Sequence, residues 1–131
     1  MSRDEFYKNY YYYGKMSTSA VSYEEYALEF LKLAQQYDEL LIIHCSAHLS
    51  DTFNIALQVA EDFRNQHKCR VKIIDSGLCS MGLGMVVMAA AQATKAGKPL
   101  EAAEGAVYGT RAQMSNFMAI PTLKYLRKGK K

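Results

Sequence analysis

The spacing of apolar residues changes along this chain, and the changes mark its elements. Leu40, Leu41, Ile42 and Ile43 form an apolar run with no polar alternation, as expected of a parallel strand covered on both faces. Residues 70–75, RVKIID, read as a second strand. Elsewhere apolar positions recur at three- and four-residue steps. Tyr23, Tyr26, Ala27, Phe30, Leu31, Ala34 and Tyr37 mark one face of a helix, and Ala56, Val59, Ala60 and Phe63 mark another that ends near Gln66. Ser22 with Glu25, and Ser2 with Glu5, have the S-x-x-E spacing of a capping box. A helix therefore follows Ser22, and another covers residues 2–13 until Gly14 stops it.

Residues 80–96 are apolar almost all round, through Met81, Leu83, Met85, Val86, Val87 and Met88, which predicts a helix buried on most sides. Gly97-Lys98-Pro99 breaks it. Residues 100–113 predict a further helix with Ala103, Ala106 and Val107 as its apolar contacts, residues 116–120 a third strand, and Pro121 the start of a short last helix over 122–127. Strands alternating with helices predict an α/β fold: a parallel β-sheet covered by helices, with the strands at 40–43 and 71–74 adjacent, in one domain over residues 1–131.

The polar stretch Cys45-Ser46-Ala47-His48-Leu49-Ser50-Asp51-Thr52-Phe53-Asn54 joins the first strand to the next helix. In an open α/β sheet such a loop lies where ligands bind. Ser50 is placed to be the N-cap, beside free backbone N–H groups and the positive end of the helix dipole, so the segment offers an anion site. Ser17-Thr18-Ser19 is a second hydroxyl-rich loop able to bind an oxyanion. Gly82 and Gly84 lie in the first turns of the methionine-rich helix, where glycine allows close approach; helix packing explains them better than a phosphate. Met81, Met85 and Met88 fall at helical spacing and suit an irregular ligand, with core packing as the default. Tyr10-Tyr11-Tyr12-Tyr13 reads as an amphipathic helix packed on the domain rather than a stacking patch.

Composition narrows the picture further. Half the residues are apolar, which argues for a globular core. The formal charge of +3 is local: Lys124, Arg127, Lys128, Lys130 and Lys131 are five of the sixteen basic residues, and without them acidic residues outnumber basic ones. That is a basic tail rather than a nucleic-acid surface. The longest apolar region is too short to span a bilayer, and residues 1–5 hold no apolar signal core. Three cysteines, Cys45, Cys69 and Cys79, without metal-like pairing read as reduced thiols in a cytoplasm. No cofactor is expected.

Several of these strings together resemble the DegV family of bacterial fatty-acid-binding proteins. They are Thr18-Ser19, His48-Leu49-Ser50-Asp51-Thr52-Phe53, Ile73-Ile74-Asp75-Ser76, Ser80-Met81-Gly82-Leu83-Gly84 and Leu123-Lys124-Tyr125-Leu126-Arg127-Lys128-Gly129. The resemblance covers nearly the whole chain. It implies a two-domain protein about twice this length that holds one acyl chain between its domains and presents it to a fatty acid kinase, without making or breaking bonds itself. Carried over, the carboxylate ligands are Thr18 and Ser50, with Ser19, Met81 and Met85 as further loop or acyl-chain contacts. The sequence departs from the family in lacking its opening strand and second domain, in Ala20-Val21, and in Asp51 where the family has glycine after the key serine. A domain of this kind is expected to leave an apolar face and to form a homo-oligomer.

Two other readings remain. Cys45 with His44 and His48 forms a Cys/His pairing of the type that activates a nucleophile, but no orienting carboxylate is evident. Alternatively the chain is a half-domain that self-associates and no longer binds lipid.

Overall fold

The computed structural model describes residues 2–13, 18–121 and 123. The chain divides into two compact units, residues 1–19 with 118–131, and residues 20–117. The first unit contains helix α1 (Arg3–Tyr13). Its start is the expected capping box: the Glu5 N–H donates to Ser2 Oγ at 3.2 Å and the Ser2 N–H to Glu5 Oε2 at 2.7 Å. Phe6 and Tyr7 meet edge to face, with ring centroids 5.4 Å apart. Gly14, Ser17 and the last helix expected at residues 122–127 lie outside the described residues, apart from Leu123.

The second unit runs α2 (Tyr23–Gln36), β1 (Glu39–His44), α3 (Thr52–Asp62), β2 (Arg70–Asp75), α4 (Ser80–Lys95) and α5 (Leu100–Ala112). The Ser22 capping box at the head of α2 is formed as expected. β1 and β2 pair in parallel, in the register Leu40↔Val71 and Ile43↔Ile74. Side chains on a strand alternate between faces, so the pair serves two cores. Leu40, Ile42 and Val71 pack with Phe30, Ala34 and Val59 from α2 and α3. Leu41, Ile43 and Ile74 pack with Val86, Ala90, Ala103 and Val107 from α4 and α5. This three-layer arrangement explains the unbroken apolar run in β1. Polar ties support the layers: the Tyr23 hydroxyl donates to Asp62 Oδ2 at 2.7 Å between α2 and α3. Arg70 pairs with Glu39 and Glu101, and Lys72 with Glu104. The exposed Arg70 pairs add little each.

Two expectations fail here. Residues 116–120 form no strand. A strand exists only when a neighbour completes its hydrogen bonds, and the sheet of the described residues consists of β1 and β2 alone. Nor is α4 buried on most sides. Gly82, Val86, Ala90 and Ala93 face the core, while Met81, Met85 and Met88 are 77%, 48% and 60% exposed. α4 is covered by α5 and one face of a narrow sheet, and its apolar far side has nothing over it among the described residues. Its glycines are not forced by packing either: a Cβ on Gly82 would meet neighbours at an ordinary 3.6 Å, and one on Gly84 would meet nothing within 4 Å. No helix among the described residues is long and apolar enough to cross a membrane.

Candidate functional site

Two loops leave the carboxyl ends of β1 and β2, and the backbone ties them together. The Ser46 N–H donates to the Leu78 carbonyl at 2.8 Å, and the Ser76 N–H to the His44 carbonyl at 3.1 Å. Asp75, the last residue of β2, bridges them. Its Oδ1 accepts the Ala47 N–H at 3.2 Å and the Gly77 N–H at 2.8 Å. Ser76 is fully buried; its Oγ accepts the Leu78 N–H at 3.1 Å and closes the second loop. Ser46, also buried, accepts the His48 N–H at 3.3 Å. Short polar side chains thus satisfy the loop amides, as Asp and Ser do in tight turns. The first loop is an Ω-like knot of hydroxyls and N–H groups rather than an open coil: the Leu49 and Ser50 N–H groups both turn back to the Ser46 carbonyl.

Ser50 is not the N-cap of α3. That position belongs to Asp51, whose side chain caps nothing. Asp51 has already entered the helical region at φ −74° and ψ −3°, and its carbonyl accepts the first helical bond, from the Ile55 N–H. Ser50 still serves the helix start from one residue back. Its Oγ accepts the Thr52 N–H at 3.3 Å and shares a 2.9 Å hydrogen bond with Thr52 Oγ1. The result is a half-buried pair of hydroxyls at the head of α3, with the uncapped Asp51 carboxylate exposed beside them.

The second loop ends in strained backbone. Ser80, the first residue of α4, has φ +50°, an unusual region for a residue with a side chain and one that concentrates at functional sites. The start of α4 is held from outside, since Asn116 Nδ2 donates to the Cys79 carbonyl at 3.4 Å and to its Sγ at 3.3 Å. Gly77 adopts φ +65°, which glycine accepts without cost. The guanidinium of Arg111, in the last turn of α5, lies against it, and Arg111 Nη1 donates to the Asp75 carbonyl at 3.3 Å.

His44 does not serve Cys45. Its Nε2 and the Tyr26 hydroxyl hydrogen-bond at 2.8 Å. Burial holds the His44 pKa below its ordinary value, against an upward pull from the Asp75 charge. Burial pushes Tyr26 up to about 12. Burial, with Asp38 and Glu39 nearby, also pushes the Cys69 thiol up, which makes it a poor nucleophile. Among the described residues no group of three or more His, Cys, Asp or Glu side chains could hold a metal ion.

Of the residues singled out from sequence, Ser50 sits at the β1 loop, and Met81 and Met85 sit on the open side of α4. Thr18 and Ser19 are exposed and belong to the first unit. Two concavities indent the second unit, and neither is lined by these residues. One of about 290 Å³ is lined by Val21, Tyr26, Phe30, Leu33 and Ile42 with Glu25 and Glu29; the other, about 270 Å³, lies along Val71 and Ile73 with Arg64 and His67. Asp75, Ser46 and Ser76 stand within the loop and family strings read from sequence but without a role of their own, and Arg111 escaped that reading altogether. The Asp-Ser-Gly string at the end of β2 is a turn signature that pointed to the first of them; nothing local pointed to Arg111.

The sequence matches a known family model, described as "Uncharacterised protein, DegV family", over residues 1–130. The chain belongs to the DegV family. Among its DegV relatives is a DegV domain-containing protein of Streptomyces coelicolor, 30% identical over 115 residues, which are 87% of this chain and 40% of the relative. A solved DegV structure from Thermus thermophilus, described as showing fatty acid binding, superposes with a TM-score of 0.72 at 30% identity, covering 86% of this chain and 39% of that one. A DegV family protein of Corynebacterium glutamicum gives 0.64 at 29% identity, covering 72% and 35%. The chain thus spans about two fifths of the length of these DegV proteins.

Proposed function

We propose that this DegV chain binds a long-chain fatty acid, with Ser50 and Thr18 as hydroxyl partners of its carboxylate and Met81 and Met85 against its acyl chain. The observation that carries the reading is the Ser50–Thr52 hydroxyl pair at the head of α3, on a strand-end loop, in a chain whose Thermus relative binds fatty acid. Hydroxyl and amide donors at a helix N-terminus favour an anion. The flexible thioethers of Met81 and Met85 suit an acyl chain of varied shape. Ser19 adds a hydroxyl next to Thr18. The protein is a carrier that makes and breaks no bond and hands its ligand to a fatty acid kinase. Its three free cysteines fit a reducing cytoplasm.

Titration of a long-chain fatty acid into the folded protein tests this. A hydrogen bond to a charged group contributes about 1.5–3 kcal/mol, so Ser50→Ala and Thr18→Val should each weaken binding by roughly tenfold to a hundredfold. Ser50→Ala also strips the Thr52 N–H of its acceptor and should lower stability by about 1 kcal/mol. Unchanged affinity in both variants would sink the assignment. A second reading, self-association without lipid, is favoured by the same open apolar side of α4. A parent protein that binds no fatty acid but sediments as a dimer would support that reading instead.

A further inference from the structure

We propose that Arg111 is the residue that makes this site prefer a carboxylate to a neutral head group; the inference rests on the fatty-acid reading above. The strand-end loops present neutral donors, hydroxyls and backbone N–H groups, while the fixed charges they contain are acidic. Asp75 spans both loops, and Asp51 stands uncapped at the head of α3. His44 is held toward its neutral form by burial and is occupied by Tyr26. An incoming carboxylate therefore meets two like charges, each able to repel it by several kcal/mol at close range. Hydroxyls orient an anion but bring no charge to balance that repulsion.

Arg111 brings that charge, and the fold has cleared a place for it. The side chain crosses from the last turn of α5 to the β2 loop and donates to the Asp75 carbonyl. Its Nη2 lies only 2.7 Å from where a Cβ on residue 77 would stand. A glycine with φ +65° is thus both the turn residue and the seat of the guanidinium. Arg64 and Arg70 are each spent on glutamates. Arg111 forms no ion pair among the described residues, and the backbone carbonyl takes one of its five N–H donors. The remaining fork is suited to a carboxylate, which it can grip through two parallel hydrogen bonds. Arg111 lies against the loop that the Ser46–Leu78 and Ala47–Asp75 bonds tie to the segment bearing Ser50.

The test compares hexadecanoic acid with hexadecan-1-ol, titrated into the full chain and into Arg111→Gln and Arg111→Lys. Arg111→Gln should lose about tenfold or more in affinity for the acid and little for the alcohol. Arg111→Lys should keep part of the preference, as a point charge without the fork. The acid-specific loss should shrink in about 1 M salt, where charges are screened within about 3 Å. An acid-to-alcohol ratio unchanged in Arg111→Gln overturns the proposal and leaves the fatty-acid reading standing. Equal loss of both ligands also overturns it, because it would show a residue that only supports the loop. Failure of the parent to bind the acid overturns both.

Discussion

Replacing Asp75 with alanine isolates what holds the two strand-end loops together. The carboxylate accepts two backbone N–H groups, one from each loop, at 3.2 and 2.8 Å. Hydrogen bonds to a charged acceptor contribute about 1.5–3 kcal/mol each. Asp75 is only half-buried, so water recovers part of that loss, and about 2–3 kcal/mol for the pair is the expected cost. Asp75→Asn keeps an acceptor oxygen at the same place without the charge and should cost about half as much. Urea unfolding followed by circular dichroism measures both, and the slope with urea should match the parent, since the surface exposed on unfolding is unchanged. The same charge raises the His44 pKa, so its removal should move the imidazole titration, followed by NMR, further down. An Asp75→Ala protein within about 0.5 kcal/mol of the parent, with His44 titrating where it did before, would refute the bridging role.

Three further outcomes follow from the same region. Because burial lowers the His44 pKa, the unfolded chain takes up a proton near pH 6.5 that the folded protein resists. Stability should be full above that pH and fall as pH drops through it, levelling only below the folded value; urea midpoints that rise on acidification would contradict this. Tyr26 gives the opposite limb, with its pKa raised from 10.0 to about 12, so its contribution holds below pH 10 and fades between there and about 12. Gly77→Ala should cost about 1–2 kcal/mol for a side chain at φ +65°. That cost should persist in an Arg111→Ala background, where the clash with the guanidinium is gone; thermal melts of the single and double variants separate the two sources.

Most elements of the second unit were legible from sequence because local and tertiary demands agree there. Ser22 and Glu25 cap α2 by themselves, and the apolar run of β1 is what a strand between two helical layers requires. The failures share a cause. Whether residues 116–120 become a strand depends on a partner, and whether Met81, Met85 and Met88 are covered depends on what packs over α4; neither partner is written in the segment itself. The N-cap slipped by one residue because Ser50 and Asp51 are both good caps, and backbone angles decide between them. Ser50 was visible as a hydroxyl after a strand. Arg111 was not, because its place at the site comes from the return of α5 to the β2 loop, some thirty-five residues after the loop in sequence.

The open side of α4 has a chemical consequence. Thioethers reachable by solvent are oxidised readily to sulfoxides, which turns a greasy, pliable surface into a polar and chiral one. Met81, Met85 and Met88 stand in a row one helical turn apart, so peroxide would rewrite the whole face at once, and reductases could restore it. The rate at which each sulfur gains its oxygen, read by mass spectrometry, is a direct gauge of what rests on that face. An acyl chain, a second copy or bare water would each leave a different footprint along the same three sulfurs.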